Sequence, residues 1–166
     1  MIKVKQVKSE ELQVVRYKVL WPHLKSSKEA VIEIDKSEGA IHLAAYQCDQ
    51  VVGVASLFPQ ACERYPEIFP DMVVFRLRAM GVLQEVQGQG VGAEIISYAF
   101  NLLDKTTPAQ VLWCDAREVA WGFYSRCGFQ FARDSEGNIF DAYEVPNVGV
   151  HKMMYFHLSN LQEKNA

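Results

Sequence analysis

No run among the 166 residues is apolar for long enough to cross a bilayer, and Met1-Ile2-Lys3-Val4-Lys5 lacks the apolar core of a signal peptide. Those absences set the expectation of a cytoplasmic, soluble protein with no membrane partner. Basic tracts are missing too. The net charge is −3, so nucleic-acid binding has no electrostatic footing. Cysteine is scarce: Cys48, Cys62, Cys114 and Cys127 form no C-x-x-C pair and no zinc spacing, so no metal is expected. They read as reduced thiols of an intracellular protein. No His/Asn signature sits beside any of them, so none is marked as a nucleophile. Internal repeats, low-complexity segments and a domain boundary are also absent. Residues 1–166 therefore read as a single domain, long enough for a real core, with the 49% apolar and 22% charged residues of an ordinary globular chain.

What stands out is the stretch from Phe75 to Asp104. Phe75, Leu77 and Ala79 alternate with Arg76 and Arg78, the period of a strand. Val91, Ile95, Ala99 and Leu103 follow at steps of four, with Ile96 and Phe100 beside them, the stripe of an amphipathic helix. Gly88, Gly90 and Gly92 sit where the strand gives way to the helix. The first turn of a helix has N–H groups without intrahelical partners and carries the positive end of its dipole. Glycines there let the backbone approach a ligand and adopt φ > 0, so the arrangement reads as a phosphate cradle.

Three ligands compete for such a cradle. A nucleoside-triphosphate loop needs Gly-Lys-Ser/Thr, and no Lys follows these glycines. A dinucleotide fingerprint fits locally as Gly88-x-Gly90-x-x-Ala93, with Asp115 posing as the ribose acid. Half the chain precedes it without a βα alternation, however, and too little follows for a doubly wound sheet. The third is an acyl-CoA. Val82-Leu83-Gln84-Glu85-Val86-Gln87-Gly88-Gln89-Gly90-Val91-Gly92 resembles the acyl-CoA loop of the GNAT family of N-acetyltransferases, whose Gln/Arg-x-x-Gly-x-Gly/Ala pattern is matched by Gln87, Gly90 and Gly92. Gln84 stands where the family often has Pro, and Val86 where it often has an aromatic residue; neither change removes a backbone donor.

The remaining elements are compatible in order. Ile2–Val7 reads as a strand. Ser9 caps a helix whose stripe is Leu12, Val15, Val19 and Leu20, ended by Trp21-Pro22. A short second helix from Ser26 or Ser27 would bury Ala30, Val31 and Ile34. Ile41–Tyr46 and Val51–Phe58 form a hairpin around Cys48-Asp49-Gln50. Pro59–Pro70 is a loop with three prolines. Val111–Cys114 is a buried strand that completes a βαβ crossover, and Ala120–Arg126 a short helix capped by Gly128. Gln130–Arg133 and Ile139–Glu144 pair with each other. Val150–Leu158 is the last strand, and the tail from Ser159 is polar.

Ala120, Phe123, Tyr124, Gly128 and Phe129 match the family's second motif, Ala-x-x-Phe-Tyr-x-x-x-Gly-Phe, and the two motifs span roughly 75 to 129. Asp115-Ala116-Arg117 and Pro146, Gly149, His151 and Met154 resemble a narrower subgroup of small acetyltransferases. The resemblance implies an α/β (α+β) acyltransferase fold, with a mixed sheet of about six or seven strands splayed at the cofactor site. It implies an enzyme that moves acetyl from acetyl-CoA to a primary amine, directly, in a ternary complex. It carries cofactor contacts onto Val82, Leu83, Gln87, Gly88, Gln89, Gly90, Val91 and Gly92, with the N–H near Val82 as oxyanion donor. Arg117 is a further candidate, for the CoA phosphates or for a buried acid. Tyr124 becomes the candidate acid for the leaving thiolate, since a phenol stays protonated at neutral pH. His151 and Glu144, in the C-terminal strands, are candidate bases; His42 and Glu33 are weaker ones. Arg76 and Arg78 either bind an acidic substrate or pair with nearby carboxylates. The partner is a small-molecule or peptide amine, and a homodimer is common in the family. An acyl-CoA sensor without turnover, or a small NAD(P)-dependent oxidoreductase, are the alternatives.

Overall fold

The computed structural model of the chain describes residues 1–161; the rest of the polar tail lies outside the described residues. Among the described residues eight strands, β1 (Lys3–Val7), β2 (Ile41–Gln47), β3 (Gln50–Phe58), β4 (Val74–Val82), β5 (Val111–Arg117), β6 (Gln130–Phe131), β7 (Tyr143–Val145) and β8 (Gly149–His157), form one mixed sheet in the order β1-β2-β3-β4-β5-β8-β6, with β7 on β8. That is more than the six or seven expected, because two short strands, β6 and β7, both pair with β8. Contacts divide the chain into two units: Met1–Phe58 with Leu77–Leu102, and Pro59–Arg76 with the chain from Leu103 onward. No helix of the described residues is long and apolar enough to cross a membrane.

In the first unit β1 (Lys3–Val7), β2 (Ile41–Gln47) and β3 (Gln50–Phe58) are antiparallel. The β2–β3 turn is Cys48-Asp49, both with positive φ (51° and 63°), the twist a tight hairpin needs. Burial runs almost continuously along β2 and β3, because both faces of these strands are covered. Leu12, Val15, Ala44 and Val54 form the core on one face. On the other, Gly53 lies so close under helix α2 (Val91–Thr106) that an added Cβ would stand 2.9 Å from Ile95 Cδ1 and Val91 Cγ1.

The expected first helix is an irregular one. A 3-10 turn (Ser9–Leu12) leads into α1 (Gln13–Val15) and then a π turn (Arg16–Leu20), closed at Trp21. The expected second helix reduces to the turn Ser27–Glu29. Ala30 is buried as expected, but Val31 is exposed, and Ile32 and Asp35 are buried instead. The reason is Arg16, wholly buried. Its guanidinium takes both oxygens of Asp35 at 2.7 and 2.9 Å and also donates to Ser56 Oγ at 2.8 Å. An irregular segment that brings a carboxylate to a buried cation satisfies more polar groups than a helix would there. His42 joins the network through Ser56 Oγ and the Asp35 carbonyl, both at 2.8 Å, which makes it a structural histidine.

In the second unit, β5 (Val111–Arg117) runs parallel to the start of β4 (Val74–Val82), with Val74↔Val111, Phe75↔Leu112 and Arg76↔Trp113 in register. Along its whole length β5 pairs antiparallel with β8 (Gly149–His157). Asp115 and Arg117, expected after the strand, lie within it. Helix α3 (Trp121–Arg126) follows, and Gly128 (φ 103°) turns the chain away from it. The expected pairing of 130–133 with 139–144 is reduced to the bridge Arg133↔Ile139; β6 (Gln130–Phe131) and β7 (Tyr143–Val145) pair with the longer β8 instead. Trp113, Cys62, Ala132 and Met153 form the core of this unit, and Trp113 Nε1 ties the loop after β3 by donating to the Gln60 carbonyl at 2.8 Å.

Candidate active site

The glycine turn in the first unit has the geometry of a cradle. After β4 a 3-10 turn (Gln84–Val86) plants Val86 in the interior. Gly88 and Gly90 both have φ 81°, a conformation that L side chains adopt only with strain, and a Cβ on either would meet nothing within 4 Å. The glycines are there for the backbone angle and leave an open face. The Glu94 N–H donates to the Gly90 carbonyl, the first bond of α2, so the N–H groups of Val91, Gly92 and Ala93 precede any intrahelical acceptor. Val91 itself is buried and anchors the helix start.

Side chains brace this loop from within. Gln87 Nε2 donates back to the Val82 carbonyl at 3.3 Å, and Gln47 Nε2 donates to Gln89 Oε1 at 3.1 Å. The Leu83 N–H donates to the Val52 carbonyl at 2.8 Å and the Leu83 carbonyl accepts from the Val86 N–H at 3.1 Å, so both backbone groups of Leu83 are engaged. A cavity of about 380 Å³ lies against the loop, lined by Lys18, Val19, Val82, Leu83, Gln84, Glu85 and Gln87. Lys18 and Val19 come from the π turn, which no sequence motif singled out. Gly81, in β4, is closely packed: a Cβ there would stand 3.1 Å from Val19 Cγ1. The break in the strand's backbone is at Ala79 (φ 52°), two residues before Gly81.

The second unit holds the other candidates. Tyr124 is buried in α3, edge-on to Phe123 and tilted against Phe129. Burial pushes its phenol well above the ordinary value; Cys114 and Cys127 add to this and Arg117 opposes it. Arg117 is exposed at the end of β5 and makes no ion pair among the described residues. His151, opposite Arg117 in register, is buried, and its Nδ1 lies 2.7 Å from the Gly149 carbonyl. Because a carbonyl only accepts, Nδ1 carries the proton, and Nε2 of the neutral ring keeps the basic lone pair. Glu144 is exposed on β7, away from this arrangement.

A cluster that the sequence did not disclose centres on Asp115. Arg76 Nη2 donates to its Oδ2 at 2.7 Å, which settles the pairing of Arg76; Tyr143 Oη donates to its Oδ1. Arg76 lies over the Trp113 ring (4.8 Å) and Arg64 over the Tyr143 ring (3.5 Å), while the Tyr143 and His151 rings stack with centroids 6.3 Å apart. Burial, then the hydrogen bond to Asp115, pushes the Tyr143 phenol up, so it remains a donor. Strand parity was the available signal: Tyr143 faces His151 in register, and its neighbour Glu144 points the other way. Arg78, the other arginine of the strand, stands 3.7 Å from Glu33. Among the described residues no group of His, Cys, Asp and Glu could hold a metal ion.

The family model for the acetyltransferase (GNAT) domain matches residues 38–131. The chain belongs to the GNAT family. That assignment makes the protein an acetyltransferase, with a CoA-based acyl donor in place of a dinucleotide. The match takes in both motifs, with Gln87–Gly92 and Tyr124, and stops short of Glu144 and His151. Solved structures share the fold at low identity. Escherichia coli ElaA is 16% identical with a TM-score of 0.66, over 93% of this chain and 99% of that one. An aminoglycoside 6'-N-acetyltransferase complexed with coenzyme A is 14% identical with a TM-score of 0.69, over 94% and 97%. The ribosomal-protein-S18-alanine N-acetyltransferase of Escherichia coli is 15% identical with a TM-score of 0.64, over 95% and 94%. No curated protein matches the GNAT chain.

Proposed function

We propose that the protein moves an acetyl group from acetyl-CoA to a primary amine by direct attack in a ternary complex, as one domain made of both units. The observation that carries this reading is the cradle. Two glycines at φ 81° leave an open face beside a helix start whose first N–H groups have no intrahelical acceptor, which suits the CoA pyrophosphate. Gln87, Gly88, Gln89, Gly90, Val91 and Gly92 supply that contact, Val82 and Leu83 line the cavity beside it for the rest of the cofactor, and Arg117, exposed and without an ion pair among the described residues, is available to a phosphate. In transfer the amine nitrogen bonds the acetyl carbon and the carbon–sulfur bond breaks. Tyr124 gives its proton to the departing thiolate; burial keeps that phenol protonated until it is needed. His151 is the better base for the amine's proton, with Nε2 basic and its ring fixed by Gly149; Glu144 is solvated. Among the described residues Cys48, Cys62, Cys114 and Cys127 form no disulfide, which fits a cytoplasmic setting.

The test is thiol release from acetyl-CoA against an amine panel of amino acids, polyamines, aminoglycosides and peptide N-termini. Turnover with any of these supports transfer. Acetyl-CoA binding with no turnover across the panel would favour a sensor.

A further inference from the structure

We propose that the Asp115 cluster is the acceptor site and that it selects an amine carrying a carboxylate, which Arg64 binds as a fork; this rests on the acyl-transfer reading above. The argument is a count of donors. Asp115 is taken by Arg76 and Tyr143, so the one carboxylate in the cluster is already neutralised. Two donors are left over. Arg76 Nε is buried without a hydrogen-bond partner. Arg64 is exposed, and no carboxylate of the described residues lies within ion-pair distance of it. An exposed arginine on a loop ordinarily samples many rotamers, but this guanidinium lies 3.5 Å from the centroid of the Tyr143 ring. Stacking fixes the plane of the fork while leaving its edge N–H groups open, which is how arginine is readied for a planar, two-oxygen anion.

The surroundings suit a small acceptor. Tyr65 stacks on Phe140 at 3.9 Å with an angle of 9°, so the loop that carries Arg64 is held down beside its fork. His151, the proposed base, stacks on the same Tyr143 ring, with centroids 6.3 Å apart. One ligand with an amine near His151 and a carboxylate near Arg64 uses both. A polyamine would bring further cations to a site whose spare charged groups are both guanidinium donors, on Arg64 and Arg76.

The probes are the free amino acids, the matching amino acid amides, and spermidine, in the thiol-release assay with wild type, Arg64→Gln and Arg64→Lys. The expected result is a KM about ten- to a hundred-fold lower for an acid than for its amide, erased in Arg64→Gln and partly restored in Arg64→Lys. KM for acetyl-CoA and the melting temperature without ligand should not change. Equal use of acid and amide, a rise in KM for both alike in Arg64→Gln, or turnover of spermidine but of no amino acid would each overturn the proposal. Thermal protection by N-acetyl amino acids separates the two readings. Protection of wild type and not of Arg64→Gln, with acetyl-CoA inert, keeps the carboxylate site and sinks the transferase. Protection by acetyl-CoA with no carboxylate preference does the reverse.

Discussion

Arg16 and Asp35 face each other in the interior of the first unit with two hydrogen bonds, 2.7 and 2.9 Å long, and Arg16 is fully closed to solvent. The pair joins the π turn to the irregular segment before β2. The same turn supplies Lys18 and Val19 to the cavity beside the glycine loop, so the pair also holds part of that cavity's wall.

Replacing Asp35 by Asn leaves a buried guanidinium without its counter-charge and should cost about 3–5 kcal/mol, read as a drop in the urea midpoint. The pH dependence has a definite sign. Burial pushes Asp35 up, but the Arg16 hydrogen bonds and the Ile32 N–H outweigh it and leave the carboxyl below its ordinary value. A depressed carboxyl stabilises the fold above its unfolded pKa of about 4, and that contribution is lost as pH falls through the folded value. The stability gap between wild type and Asp35→Asn should therefore be full at neutral pH and narrow below about pH 4. A gap that stays constant down to pH 3 would contradict the pairing.

Tyr124→Phe keeps the packing against Phe123 and Phe129 and removes only the hydroxyl. The expected outcome is a kcat lower by about a hundred-fold, with the dissociation constant of acetyl-CoA changed less than about two-fold. Since burial raises this phenol, the acid form persists through alkaline pH, and the rate should show no loss assignable to Tyr124 between pH 7 and 10. Unchanged kcat would remove Tyr124 from the chemistry.

Gly53→Ala tests how the sheet places the cofactor loop. The new methyl would press on Val91 Cγ1 and Ile95 Cδ1, both 2.9 Å away, and Val91 is the first residue of α2. A stability loss of about 1–3 kcal/mol is expected, together with weaker acetyl-CoA binding. Normal affinity in a destabilised protein would show that the loop holds its shape without that contact.

Much of this was legible because two local signals agreed. The alternation from Phe75 and the four-residue step from Val91 placed a strand, turn and helix correctly, and Gly88 and Gly90 have the positive φ that the cradle required. The hairpin around Cys48 and the capped turn at Gly128 were readable for the same reason: each is dictated by residues next to it. Arg16 was not readable. Its partners, Asp35 and Ser56, are 19 and 40 residues away, and a lone arginine in an apolar stripe carries no mark of burial. Nor was the Asp115 cluster, which draws Arg64, Arg76 and Tyr143 from a loop and two other strands. Ala79 shows the limit of residue type as a guide, since the sheet imposes a left-handed angle on it while Gly81 is used for close packing.

Calorimetric titration of acetyl-CoA into wild type and Gly90→Val tests the central claim most directly. A β-branched residue is strained at φ 81°, while the space around the position is open, so the fold should survive and the cradle should not. The account predicts saturable binding to wild type, no binding of NADH, and a loss of about ten-fold or more in the variant at an unchanged melting temperature within a few degrees. Equal affinity in the two proteins, or binding of NADH in place of acetyl-CoA, would contradict it.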